Sequence, residues 1–67
     1  MENKIALSIS EASIYTGIGQ NNLRQLVAWQ KLPAIYVGKK ILIRVETLDD
    51  FMKLNEGNNL TDRYQVA

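Results

Sequence analysis

Gly17-Ile18-Gly19-Gln20-Asn21-Asn22-Leu23-Arg24-Gln25-Leu26-Val27 is the stretch that decides the fold of this 67-residue chain. Two glycines around one apolar residue make a tight turn, and Ile18 is expected to plug the angle between two helices. The second helix is expected from Gln20 to about Trp29. Leu23, Leu26 and Val27 carry the i, i+3, i+4 spacing of a buried stripe. The opposite face shows Gln20, Asn21, Arg24 and Gln25, with Asn22 near its edge.

Before the turn, Ser8-Ile9-Ser10-Glu11 reads as a capping box, in which the Ser8 and Glu11 side chains satisfy free amides at a helix start. Gly17 ends that helix, because glycine takes the left-handed cap conformation without strain. Helix, short glycine turn and helix make a helix-turn-helix pattern. After it, Lys31-Leu32-Pro33 stops the second helix. Ala34–Val37 and Ile41–Arg44 are rich in β-branched and aromatic residues and read as strands, joined by Gly38-Lys39-Lys40. Ile35, Val37, Ile41 and Ile43 are the expected buried face of this hairpin. A third helix is expected over Val45–Leu54, with Leu48, Phe51 and Met52 as its apolar stripe. Glu46, Asp49 and Asp50 at its start suit the helix dipole better than a carboxylate site for metal or acid–base work.

The fold class is α+β, mainly α: a winged helix-turn-helix with a two-stranded hairpin wing and a C-terminal helix. Residues 1–54 are expected to form the DNA-binding domain. Residues 55–67 are polar and have little to bury, so a mobile tail is expected, with Tyr64 and Val66 available to a partner.

Composition narrows the function. The chain is 46% hydrophobic, ordinary for a globular fold, and has neither cysteine nor histidine. That removes thiol nucleophiles, zinc–thiolate sites, disulfides and the commonest general base. A domain this small has little chain to wall off a substrate pocket. No enzyme, cofactor, metal or small-molecule substrate is expected. Met1-Glu2-Asn3-Lys4 is followed by a short apolar run only, so neither a signal peptide nor a membrane partner is expected, and the reading is cytoplasmic.

The net charge of +1 hides a segregation. From Ala12 to Val45 there is no acidic residue, and Arg24, Lys31, Lys39, Lys40 and Arg44 give this stretch +5. The remainder carries −4, from Lys4, Lys53 and Arg63 against Glu2, Glu11, Glu46, Asp49, Asp50, Glu56 and Asp62. Such segregation points to a polyanion as partner, and the winged helix-turn-helix layout makes double-stranded DNA the expected one. Asn and Gln pair bidentately with adenine and Arg with guanine in the major groove. Lys39 and Lys40 at a hairpin tip suit phosphates, and the Tyr36 hydroxyl can reach another.

Leu7-Ser8-Ile9-Ser10-Glu11-Ala12-Ser13, Tyr15, Gly17-Ile18-Gly19 and Asn22-Leu23-Arg24-Gln25-Leu26, followed by Lys31-Leu32-Pro33-Ala34-Ile35-Tyr36-Val37-Gly38-Lys39-Lys40 and the Leu48…Phe51 helix, resemble the excisionase family of conjugative transposons and phages. The DNA-binding head of mercury-resistance-type regulators is related. The resemblance covers about residues 6 to 54. It implies a non-catalytic protein that binds the arms of a mobile element, bends DNA and assists a tyrosine integrase in excision. It places Gln20, Asn21, Asn22, Arg24 and Gln25 at the groove, and Lys39 and Lys40 at the backbone. Arg44 matches a position that is commonly basic. The chain departs from the family at Gln30, where glycine is frequent, at Tyr36, where arginine is frequent, and at Leu42, where a polar residue is frequent. An outward Leu42 would be a protein-contact site or the mark of a shifted strand register. Self-association on DNA is a further expectation, since one small domain reads few base pairs. Two other roles fit the same residues: a small transcriptional regulator of a mobile element, and a protein-interaction module such as an anti-repressor.

Overall fold

The computed structural model describes residues 4–67, in the order β1 (Ala6–Ser8), α1 (Ile9–Thr16), α2 (Gln20–Ala28), β2 (Ile35–Val37), β3 (Lys40–Arg44) and α3 (Val45–Leu54). The reading of Met1-Glu2-Asn3 lies outside the described residues. Three helices and a three-stranded antiparallel sheet make the expected winged helix-turn-helix.

Helix α1 starts as its residues dictate. Ser8 Oγ accepts from the Glu11 amide at 3.2 Å, and Glu11 Oε1 accepts from the Ser8 amide at 3.0 Å. Gly17 closes the helix at φ 79°, and its amide donates to the Ser13 carbonyl. Thr16 braces the turn from both sides. Its hydroxyl donates to the Ala12 carbonyl at 2.7 Å and accepts from the Ile18 amide at 3.2 Å. Ile18 is half-buried against the core, as expected of a plug. Leu23, Leu26 and Val27 of α2 are buried as their spacing predicts, and Trp29 packs against the core from the helix end. Around them lie Ile9, Ala12, Leu32, Ile43, Leu48 and Phe51.

Gln30, which follows α2, takes a left-handed φ of 61°. It turns the chain so that the Lys31 and Leu32 amides both donate to the Leu26 carbonyl and Leu32 drops into the core. Gln30 thus holds a glycine-favouring backbone conformation with a side chain.

The sheet differs from the expected two-stranded wing in two ways. First, Ala6–Ser8 is a strand that pairs antiparallel with β3, Ala6 opposite Arg44 and Ser8 opposite Leu42. The sheet order is therefore β1-β3-β2. Second, the hairpin loop is Gly38-Lys39, because Lys40 already pairs with Val37. Gly38 supplies the positive φ, 61°, that a two-residue loop needs at its first position. A loop one residue shorter than expected moves all of β2 to the other face. Ile35 and Val37 thus face outward, 47% and 57% exposed, with Lys40, Leu42 and Arg44. The expected buried face is corrected: Ile43 is buried, Ile41 is half-buried, and the residue opposite Ile41 is Tyr36. Tyr36 remains exposed on β2, one of the two edge strands.

Helix α3 matches its expected bounds, and Leu48 and Phe51 are buried. Met52 is not; it sits beside the stripe and is 38% exposed. The segment after α3 buries more than its composition suggests. Asn55 is buried, donates through Nδ2 to the Phe51 carbonyl at 3.0 Å and accepts through Oδ1 from the Ala67 amide at 2.8 Å. Asn58 Nδ2 also donates to Asn55 Oδ1. This clasp lays residues 55–67 along the domain and puts Val66, 4% exposed, into the core. Val66 is therefore a packing residue rather than a free contact, whereas Tyr64 stays fully outside.

Candidate nucleic-acid interface

On α2 the exposed positions form two rows. Gln20, Arg24 and Ala28 follow one another at i, i+4 and i+8, and Asn21 and Gln25 run beside them. All are exposed; Asn21, Arg24, Gln25 and Ala28 lie opposite the buried Leu23/Leu26/Val27 stripe, which fixes the helix in rotation, and Gln20 lies at its border beside Val27. The helix starts at Gly19 with no side-chain cap, so its first amides are open to solvent or ligand.

The wing approaches one of these rows. Gln20 and Arg24 share an open cleft of about 260 Å³ with Lys39, Lys40 and Ile41 of the wing and Ser8, Ile9 and Ser10 of the first helical turn. The cleft exists because β1 stops at Ser8, opposite Leu42, and leaves the edge of β3 uncovered at Ile41 and Lys40. Four of the expected DNA-binding residues, Gln20, Arg24, Lys39 and Lys40, are brought together there. Among the described residues no acidic side chain lines the cleft, and Arg24, Lys39 and Lys40 make its lining basic.

The other expected residues lie elsewhere. Asn21 and Gln25 are on the exposed face of α2 outside the cleft, and Asn22 sits at its edge, its amide near Gly19. Tyr36 is on β2 away from the cleft. Arg44 is at the opposite end of β3 from the tip, where it is also the residue that starts α3. Ser8, Ser10 and Ile41 join the cleft without belonging to the expected set. Their only signal is long-range, since nothing local ties the first turn of α1 to a hairpin thirty positions later.

Two polar links hold the frame. Lys4 and Glu11 form an ion pair, and the Lys4 ammonium with the Ser8 amide lowers the Glu11 carboxyl to a pKa of about 2. Tyr15 donates its hydroxyl to Asp49 Oδ1 at 2.8 Å and ties α1 to α3, and this bond to the carboxylate raises the Tyr15 pKa. Among the described residues no cluster of carboxylates is arranged to hold a metal ion, and no helix is long and apolar enough to cross a membrane.

A family model described as a helix-turn-helix domain matches residues 6–54. The chain belongs to this family. The matched span opens with β1 and closes at the end of α3, so it takes in both sides of the cleft. No curated protein and no solved structure shows significant similarity to the chain. Membership in this helix-turn-helix family implies DNA binding, and the family is typically non-enzymatic.

Proposed function

We propose that this helix-turn-helix protein is a sequence-specific architectural DNA-binding protein of the excisionase type, which binds the arms of a mobile element and assists a tyrosine integrase. Residues 1–54 form the binding unit. Helix α2 lies in the major groove. Arg24 forms a bidentate pair with a guanine, and Gln20, Asn21, Asn22 and Gln25 reach neighbouring base edges. Exposed Ala28, in line with Arg24, suits a thymine methyl group. Lys39 and Lys40 hold the flanking phosphates, and Tyr36 and Arg44 add contacts along the wing.

The observation that carries the reading is the shared cleft. A base-reading Arg and Gln on a rotationally fixed helix face the same opening as two wing lysines, with no carboxylate among them. The excisionase role draws on the resemblance of residues 6 to 54.

A footprint on the DNA flanking the protein's own gene tests the role. Protection at the ends of an integrated element beside an integrase gene is expected, and protection confined to a promoter would replace the excisionase by a regulator. Arg24→Ala tests the readout. Specific binding is expected to weaken by about 1–3 kcal/mol with non-specific binding changed less. Equal loss on both kinds of DNA would remove Arg24 from base reading.

A further inference from the structure

Ser8, Ser10 and Ser13 are the three serines of the chain. Ser8 Oγ accepts from the Glu11 amide and is committed to the helix cap. Ser13 is half-buried in the helix interior. Ser10 is exposed at the second position of α1, and among the described residues no side-chain hydrogen bond engages its hydroxyl. It lines the cleft together with Arg24, Lys39 and Lys40.

This surrounding suits a phosphoryl group. A cleft of about 260 Å³ spans about 8 Å, within one Debye length at physiological salt, so all three cations act on a charge carried by Ser10. Arg24 offers a bidentate fork to phosphate oxygens, and the two lysines offer point charges on flexible stems. The first turn of α1 adds the positive end of the helix dipole. The only carboxylate on that turn is Glu11, which is already held by Lys4 and the Ser8 amide.

We propose that Ser10 is a phosphorylation site and that its phosphate closes the cleft to DNA. In the transfer, Ser10 Oγ forms a bond to the γ-phosphorus of a nucleoside triphosphate. The bond from that phosphorus to the bridging oxygen breaks, a nucleoside diphosphate leaves, and the hydroxyl proton passes to the base of the modifying kinase. The product carries about −2 at neutral pH and turns the +3 of Arg24, Lys39 and Lys40 into about +1. The switch rests on the DNA reading of the cleft; the seat for the phosphate does not. Because the group is added at an exposed position and links α1 to α2 and the wing, the fold gains while DNA binding falls. Simple damage to the domain would lower both.

A chain of 67 residues is within reach of total chemical synthesis, which places phosphoserine at position 10 of the full chain. Compared with the unmodified chain, its binding to a random-sequence duplex is expected to weaken at least about tenfold at physiological salt, and the slope of log K against log salt to fall by about 2. Without DNA, its melting temperature in low salt is expected to rise by about 2–8 °C. Lys39→Ala with Lys40→Ala is expected to remove most of that rise. Intact-mass analysis of the chain recovered from the cells that make it is expected to show a fraction one phosphoryl group heavier, assigned to Ser10 on fragmentation. Equal DNA binding with and without the phosphate would overturn the switch. An unchanged or lowered melting temperature, or a rise that persists without the wing lysines, would overturn the seat. Recovered chain that never carries the group would overturn the modification. An unmodified chain that binds no DNA would sink the DNA reading and the switch with it, while the melts still decide the seat.

Discussion

Helix α2 and the β2–β3 wing both present basic residues to one cleft, but the fold holds them in opposite ways. On α2 the stripe behind the exposed face is fully buried, Leu23 and Leu26 both at 0% exposure. In β2 every residue is exposed, and the wing depends on β3 for its attachment. A helix pinned by its core can hold a side chain at a fixed angle to a base edge, which hydrogen-bond readout requires. A hairpin with an open outer strand can follow a phosphate backbone, which asks for charge more than angle. The difference predicts that damage to α2 removes fold and specificity together, whereas damage to the wing removes affinity alone.

The largest effect expected is at the root of α2. Leu26→Ala should cost about 2–5 kcal/mol, because it leaves a cavity in the middle of the core, and a domain of this size should then be largely unfolded at 37 °C. Ile35→Ala on the wing should cost under about 0.5 kcal/mol, the usual range for an exposed site. Urea melts of the two variants check the contrast, and similar losses would end it.

Next comes the wing's charge. Lys39→Ala with Lys40→Ala should leave the melting curve unchanged and weaken binding to all DNA sequences alike. It should reduce the slope of log K against log salt by about 2, one for each phosphate contact. An unchanged slope would mean that the wing does not touch the backbone. Gln30→Gly should sharpen the comparison from the hinge between the two parts. Relief of a left-handed side chain outweighs glycine's entropy by about 0.5–1 kcal/mol, and the urea midpoint should rise.

The smallest effect belongs to Glu11. Its folded pKa of about 2 lies below the ordinary 4.5, so the Lys4 and Ser8 contacts stabilise the fold above pH 4.5. That contribution is lost as pH falls from 4.5 towards 2. Glu11→Gln should remove this part of the acid dependence and leave neutral-pH binding intact, as a pair of acid melts would show.

The three helices were legible because each carries its own instructions. The capping box of Ser8 and Glu11, the cap at Gly17 and the stripes Leu23/Leu26/Val27 and Leu48/Phe51 are all local signals. What the sequence did not disclose depends on partners far along the chain. Ala6-Leu7-Ser8 is a strand only because β3 lies beside it. The facing of Ile35 and Val37 hinges on whether Lys40 belongs to the loop or to the strand, and alternation in a three-residue strand fits both choices. Val66 is one apolar residue in a polar segment, and its burial follows from Asn55, whose side chain closes a bond to residue 67. In the same way Arg24, Lys39 and Lys40 could be named one at a time, but not the cleft with Ser8 and Ser10 that joins them.

No residue separates β3 from α3: Arg44 ends the strand and starts the helix. The hairpin and α3 are thus two arms of one lever with its elbow at Arg44, and the compliance of the wing lies in its outer strand β2. The far arm is tethered through Asn55 to the chain's last amide. A load that tilts β3 is expected to pass along α3 to the Asn55 clasp at its C-terminal end. Amide hydrogen exchange at Ala67 is thereby a remote gauge of what the wing is holding.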